Sequence, residues 1–79
     1  MTTYTIGDVV HDSYANPAVV IEVTTSRNGT VSLRIMQLWG SDTGRVATLP
    51  AKSASLVTAP GLVSGARGRF EAIRSGAVR

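Results

Sequence analysis

The feature that most restricts this chain is a period of two in its apolar residues, sustained from Ile6 to Thr58 and interrupted at short intervals by glycine, proline and asparagine. That period sends successive side chains to opposite faces of an extended strand, and the interruptions keep each strand short. Gly7-Asp8-Val9-Val10 opens a first strand after a glycine turn, and residues 11–17 form an irregular loop ending on the breaker Asn16-Pro17. Residues 18–25, rich in β-branched side chains, make the second strand and residues 31–39 the third. Gly40-Ser41-Asp42-Thr43-Gly44 turns the chain into a fourth strand at residues 45–49. Pro50-Ala51-Lys52-Ser53 then makes one tight helical turn before a last strand at residues 55–58. The expectation is an all-β unit of five strands over residues 1–59, followed by an arm over residues 60–79.

A chain of 79 residues makes one domain, near the size at which a single core is barely sufficient. It has no cysteine, so neither disulfides nor thiolate zinc sites add stability. One histidine and five carboxylates spread along the chain offer no metal cluster, and no cofactor is expected. Stability must come from a tight core, from self-association or from docking to something larger. Charged residues are 16% of the total, against about 25% in ordinary soluble domains, and such a composition suits surfaces that become buried against neighbours. No apolar run is long enough to span a membrane and no export signal opens the chain, so no membrane partner is expected.

The hairpin between the second and third strands sets the register. A two-residue Asn28-Gly29 turn puts Val23 opposite Arg34 and mixes an apolar with a charged side chain on one face. A three-residue loop, Arg27-Asn28-Gly29, with Gly29 in the left-handed conformation, pairs Ser26 with Thr30 instead. Val23 then faces Leu33 and Ile21 faces Ile35 on the inner side, with Gln37 inward opposite Val19; Glu22 meets Arg34 and Thr24 meets Ser32 outside. This register places Val20 opposite Met36 and Ala18 opposite Leu38 on the outer face. That is an apolar strip where water is expected, and either the C-terminal segment or a partner must cover it.

The net charge of +3 belongs to the arm. Before Pro60, Arg27, Arg34, Arg45 and Lys52 balance Asp8, Asp12, Glu22 and Asp42; after it, Arg67, Arg69, Arg74 and Arg79 face Glu71 alone. Ala66, Phe70 and Ile73 are spaced i, i+4, i+7, which predicts a short amphipathic helix weakened by Gly65 and Gly68 and ordered only when Phe70 and Ile73 are packed.

Short strands, a long first loop, a glycine-bulged hairpin and a Pro-led helical turn before the last strand resemble an SH3-like barrel of the KOW and Tudor-like group, and of small phage or plasmid accessory proteins. The resemblance is carried by Ile6-Gly7-Asp8-Val9-Val10, by Ala18-Val19-Val20-Ile21-Glu22-Val23, and by Val46-Ala47-Thr48-Leu49-Pro50 with Leu56-Val57. It implies a five-stranded barrel. Plasmid-type dihydrofolate reductases are similar in length and strand order, and that family holds its ligands through a Val-Gln-Ile-Tyr strand before proline. Here Ala47 replaces the glutamine and Leu49 the tyrosine, so the polar groups which that chemistry uses are missing. His11 between Asp8 and Asp12 reads as a loop residue, no serine sits in a nucleophile elbow, and the glycines match no phosphate loop. The chain reads as a non-enzyme with no catalytic residues.

Two binding functions fit. One is a structural or adaptor module that docks onto a larger protein assembly or onto copies of itself through Val20, Met36, Leu38, Trp39, Phe70 and Ile73. By resemblance this is a phage virion accessory protein, placed in the cytoplasm or on the virion. Trp39 either lines a ligand groove or closes one end of the core. The other is a nucleic-acid binder that uses Arg67, Arg69, Arg74 and Arg79 on phosphates, with Tyr4, Tyr14, Trp39 and Phe70 as the available stacking side chains.

Overall fold

Strands this short are stable only when the sheet's apolar side chains are covered, and the chain supplies part of that cover with one further element, a helix. A computed structural model describes residues 3–12 and 15–77. Its strands are β1 (Val9–His11), β2 (Pro17–Thr25), β3 (Val31–Gln37), β4 (Val46–Pro50) and β5 (Ser55–Leu56), followed by helix α1 (Pro60–Arg74); 3-10 turns occupy Gly40–Asp42 and Ala51–Ser53. The strands form one antiparallel sheet in the order β4-β3-β2-β1-β5. The ladder is open, with β4 and β5 as its two edges, so the five strands do not close into a barrel. The physical reason lies in β5: Leu56 is its last residue, and the chain has committed to α1 by Pro60, leaving too short a strand to bridge to β4.

Both long hairpins turn on a glycine held at positive φ. At the first, Gly29 (φ 85°) donates to the Ser26 carbonyl at 3.0 Å and Ser26 donates to that of Thr30 at 2.9 Å. This is the three-residue loop read from Arg27-Asn28-Gly29, and it pairs Val23 with Leu33 and Glu22 with Arg34. The second repeats the geometry: Gly44 (φ 83°) donates to the Gln37 carbonyl at 2.8 Å, and Gln37 donates to that of Arg45, also at 2.8 Å. Only a residue without Cβ takes this conformation at no steric cost.

Strict alternation fails at one place. Between Glu22 and Val20 the pairing advances two residues on β2 for one on β3, making Ile21 an extra, bulged residue. Val20 therefore lies opposite Ile35, Val19 opposite Met36 and Ala18 opposite Gln37, one step away from the uninterrupted register. The neighbouring chain holds this shift, since Val20 donates to the Asp8 carbonyl and accepts from the Gly7 N–H, each at 2.8 Å.

The bulge sorts the apolar residues into two cores. On one face Tyr4, Val10, Ala18, Val20, Leu33, Ile35 and Leu49 pack together, and the Tyr4 hydroxyl donates to the Ala54 carbonyl at 3.1 Å. On the other, Val9, Val19, Leu38 and Val57 are covered by α1, which inserts the buried Ala66 and packs Val63, Phe70 and Ile73 around it. Residues 60–74 are thus part of the fold, and the helix is longer than the spacing of Ala66, Phe70 and Ile73 alone predicts. Its intrinsic propensity is poor: Ala59 supplies no capping side chain, and only Pro60 at the first turn favours initiation. Packing on the sheet is what holds it.

Gly65 and Gly68 sit on this helix with open space where a Cβ would be. Replacing both by alanine is therefore expected to stabilise the chain by about 0.5–1 kcal/mol per site, because backbone entropy is reduced without a clash. Thermal unfolding checks this, with an expected rise of roughly 4–8 °C per kcal/mol for a domain of this size.

Candidate docking surface

The residues expected to face a partner do not all reach the surface. Val20 is fully buried in the first core, because the Ile21 bulge turns it inward. Leu38 is fully buried in the second, because α1 lies over it. Both are corrected from partner-facing to core residues. Phe70 and Ile73 spend part of their surface on this same core and remain half-buried at its margin. The apolar outer strip does exist, but across the paired strands it is built from Val9, Val19, Met36 and Val46; Leu38 lies on the same face beneath α1, whereas Ala18 and Val20 turn to the other face.

Those four residues form a row across the sheet, each directly opposite the next: Val9 with Val19, Val19 with Met36, Met36 with Val46. The helix covers Val9 and Val19; Met36 is half-buried; Val46, at the edge, is 37% exposed. Exposure thus rises along the row as it leaves the helix, and its uncovered end coincides with the open edge of the sheet. Sequence reasoning passed over Val46, although the lack of any charged residue in Val46-Ala47-Thr48-Leu49-Pro50 is a signal for it. Beside the row, the Glu22–Arg34 pair at 3.6 Å is half-exposed on both sides, which limits it to a small contribution.

Trp39 ends the extended run after β3 and is 44% exposed, so it does not close the core. It lines a cleft of about 280 Å³ with Asn16, Pro17, Gln37 and Asp42. Gln37 donates its side-chain amide to Asp12 Oδ2 at 3.2 Å. A larger groove of about 450 Å³ lies between Tyr4, Val31, Pro50, Ala51, Lys52 and Ala54.

The arginines of α1 are used within the chain. Arg67 Nε donates to the Gly7 carbonyl at 3.2 Å and Arg69 Nε to the Leu38 carbonyl at 2.8 Å, tying the two flanks of the helix to the loops beneath. Arg74 pairs with Glu71 at 3.3 Å and lies 5.9 Å from the centre of the Phe70 ring. Two residues apart on a helix, Arg67 and Arg69 point to different sides and make no single basic stripe. Arg79 and Tyr14 lie outside the described residues. Among the described residues no cluster of three or more histidine or acidic side chains is placed to hold a metal ion, and no helix is long and apolar enough to cross a membrane. Compared with known proteins, the chain matches no family model, no curated protein and no solved structure.

Proposed function

We propose that this chain is a non-enzymatic structural module that docks into a larger protein assembly through the uncovered end of its apolar row. The observation that carries this is the row itself: α1 covers Val9 and Val19 and leaves Met36 and Val46 progressively open beside an unpaired strand edge. Half-buried Ile73 lies near this end, its Cγ2 3.6 Å from where a Cβ on Gly44 would sit, two residues before Val46. Trp39, Phe70 and Ile73 are the other exposed or half-exposed apolar groups of the docking surface. The strand order β4-β3-β2-β1-β5 and the 3-10 turn between β4 and β5 support reading the sheet as an open relative of the SH3-like barrel. That fold serves many functions, so the surface and not the fold carries the proposal.

Gradient centrifugation of extracts from the source cells tests it. The chain is expected in fractions far heavier than 8.3 kDa, and the double variant Trp39→Ala, Val46→Asp at the top of the gradient with an unchanged circular dichroism spectrum. Wild-type protein at the top of the gradient overturns the docking reading, as does a folded double variant that stays in the heavy fractions.

A further inference from the structure

The two sheet edges are not alike. β5 offers two residues to a neighbour, whereas β4 offers five, in a continuous register with β3 and without a bulge. Because Gln37 and Arg45 are hydrogen-bonded across the hairpin, the antiparallel alternation makes Met36–Val46 and Arg34–Thr48 the non-bonded pairs. The N–H and C=O of Val46 and Thr48 therefore point away from the sheet, together with the C=O of Pro50. No described residue bonds to these two N–H groups. Natural edges of this length are protected by charges, bulges, proline or a covering element, and among the described residues β4 has only Pro50 at its end.

We propose that β4 pairs antiparallel with β4 of a second copy of this chain, about a two-fold axis through Thr48. This deepens the docking reading and rests on it: the open side-chain face of the row meets the assembly, and the β4 main-chain edge beside it joins two copies of the chain within that assembly. The register follows from the strand's own groups. Centred on Thr48, all five residues overlap: Thr48 exchanges two main-chain hydrogen bonds with its symmetry mate, and each Val46 N–H reaches the partner strand at its Pro50 carbonyl. Pro50 has no N–H to return to the partner's Val46 carbonyl, which stays with solvent, but both free N–H groups on each strand are satisfied. The side chains agree on both faces, with Val46 beside the other copy's Pro50 and Ala47 beside its Leu49. No charge lies within the paired strands, and Arg45, already 3.5 Å from Asp42, falls opposite an alanine. A ladder of this size lies at the small end of specific interfaces, so the dissociation constant is expected on the order of 100 µM.

The test uses the purified full chain between about 10 µM and 2 mM, a span chosen to bracket that constant. Sedimentation equilibrium should show a monomer–dimer equilibrium. Hydrogen exchange by NMR should show the Val46 and Thr48 amides slowing with concentration while those of Ala47 and Leu49 do not change. Thr48→Lys and Thr48→Glu each put like charges face to face on the axis and should weaken the dimer by about fivefold or more, and a mixture of the two should dimerise again. Thr48 is exposed, so both variants keep the native spectrum. A wild-type chain still monomeric at the highest concentration overturns self-pairing; if it remains in the heavy cellular fractions, docking stands and the partner is a different chain. A dimer whose Val46 and Thr48 amides exchange unchanged, or that ignores both Thr48 substitutions, overturns the β4 edge as its seat.

Discussion

Leu38→Asp is expected to unfold the chain rather than to produce a folded protein that has lost a contact. Leu38 is fully buried between the sheet and α1, in contact with a core of Val9, Val19, Val57 and Ala66 that contains no polar side chain. A carboxylate there loses its water without gaining a partner, at a cost of several kcal/mol. Arg69 is already engaged with the Leu38 carbonyl at 2.8 Å. Even as the neutral acid the side chain leaves a void where the leucine packed, and buried leucine truncations cost about 2–5 kcal/mol. At roughly 0.05–0.15 kcal/mol per residue, the whole domain holds only about 4–12 kcal/mol. Circular dichroism and thermal melting are the measurements; a cooperative transition near the wild-type midpoint would show that this side chain is not in the core.

Deleting residues 60–79 is expected to have an effect of the same order. The helix carries Ala66 into the second core and covers Val9, Val19, Leu38 and Val57. Uncovering these four side chains forfeits about 1.5–3 kcal/mol each, roughly 6–12 kcal/mol as an upper bound, since the denatured chain also buries some apolar surface. That range overlaps the stability of the entire domain, so the truncated chain should lose its cooperative melt and associate through the exposed face. A truncated chain that stays monomeric with a native near-ultraviolet spectrum would show that the sheet folds without its cover, and would return the C-terminal segment to the status of an arm.

Much of this architecture is legible in the order of residues, for local reasons. β-branched runs bounded by glycine and proline mark the strands, and the alternation of side chains on either side of Arg27-Asn28-Gly29 selects the bulged hairpin that sets Val23 against Leu33. The spacing of Ala66, Phe70 and Ile73 marks the helix face. The helix arginines and the cancelling charges of residues 1–59 are equally open to inspection. The candidate site is less so. Met36 stays half-buried and Trp39 reaches the surface, an outcome the pattern left open, but Val20 and Leu38 are buried, and Val46 is signalled only by the absence of charge in its strand until its pairing with Met36 places it.

The difference comes down to Val19-Val20-Ile21. Three consecutive apolar residues are compatible with two alternations, and no local preference separates an uninterrupted strand from one with Ile21 bulged. The choice falls to groups distant in the chain: the Gly7 and Asp8 main chain that binds Val20, and the helix some forty residues on that accepts Val19. Local backbone preferences thus set which segments are extended, which turn and which are helical. Which face each valine enters, and which end of the apolar row stays open to a partner, is a matter of non-local contacts, because burial and hydrogen bonding are satisfied only when the whole chain has come together.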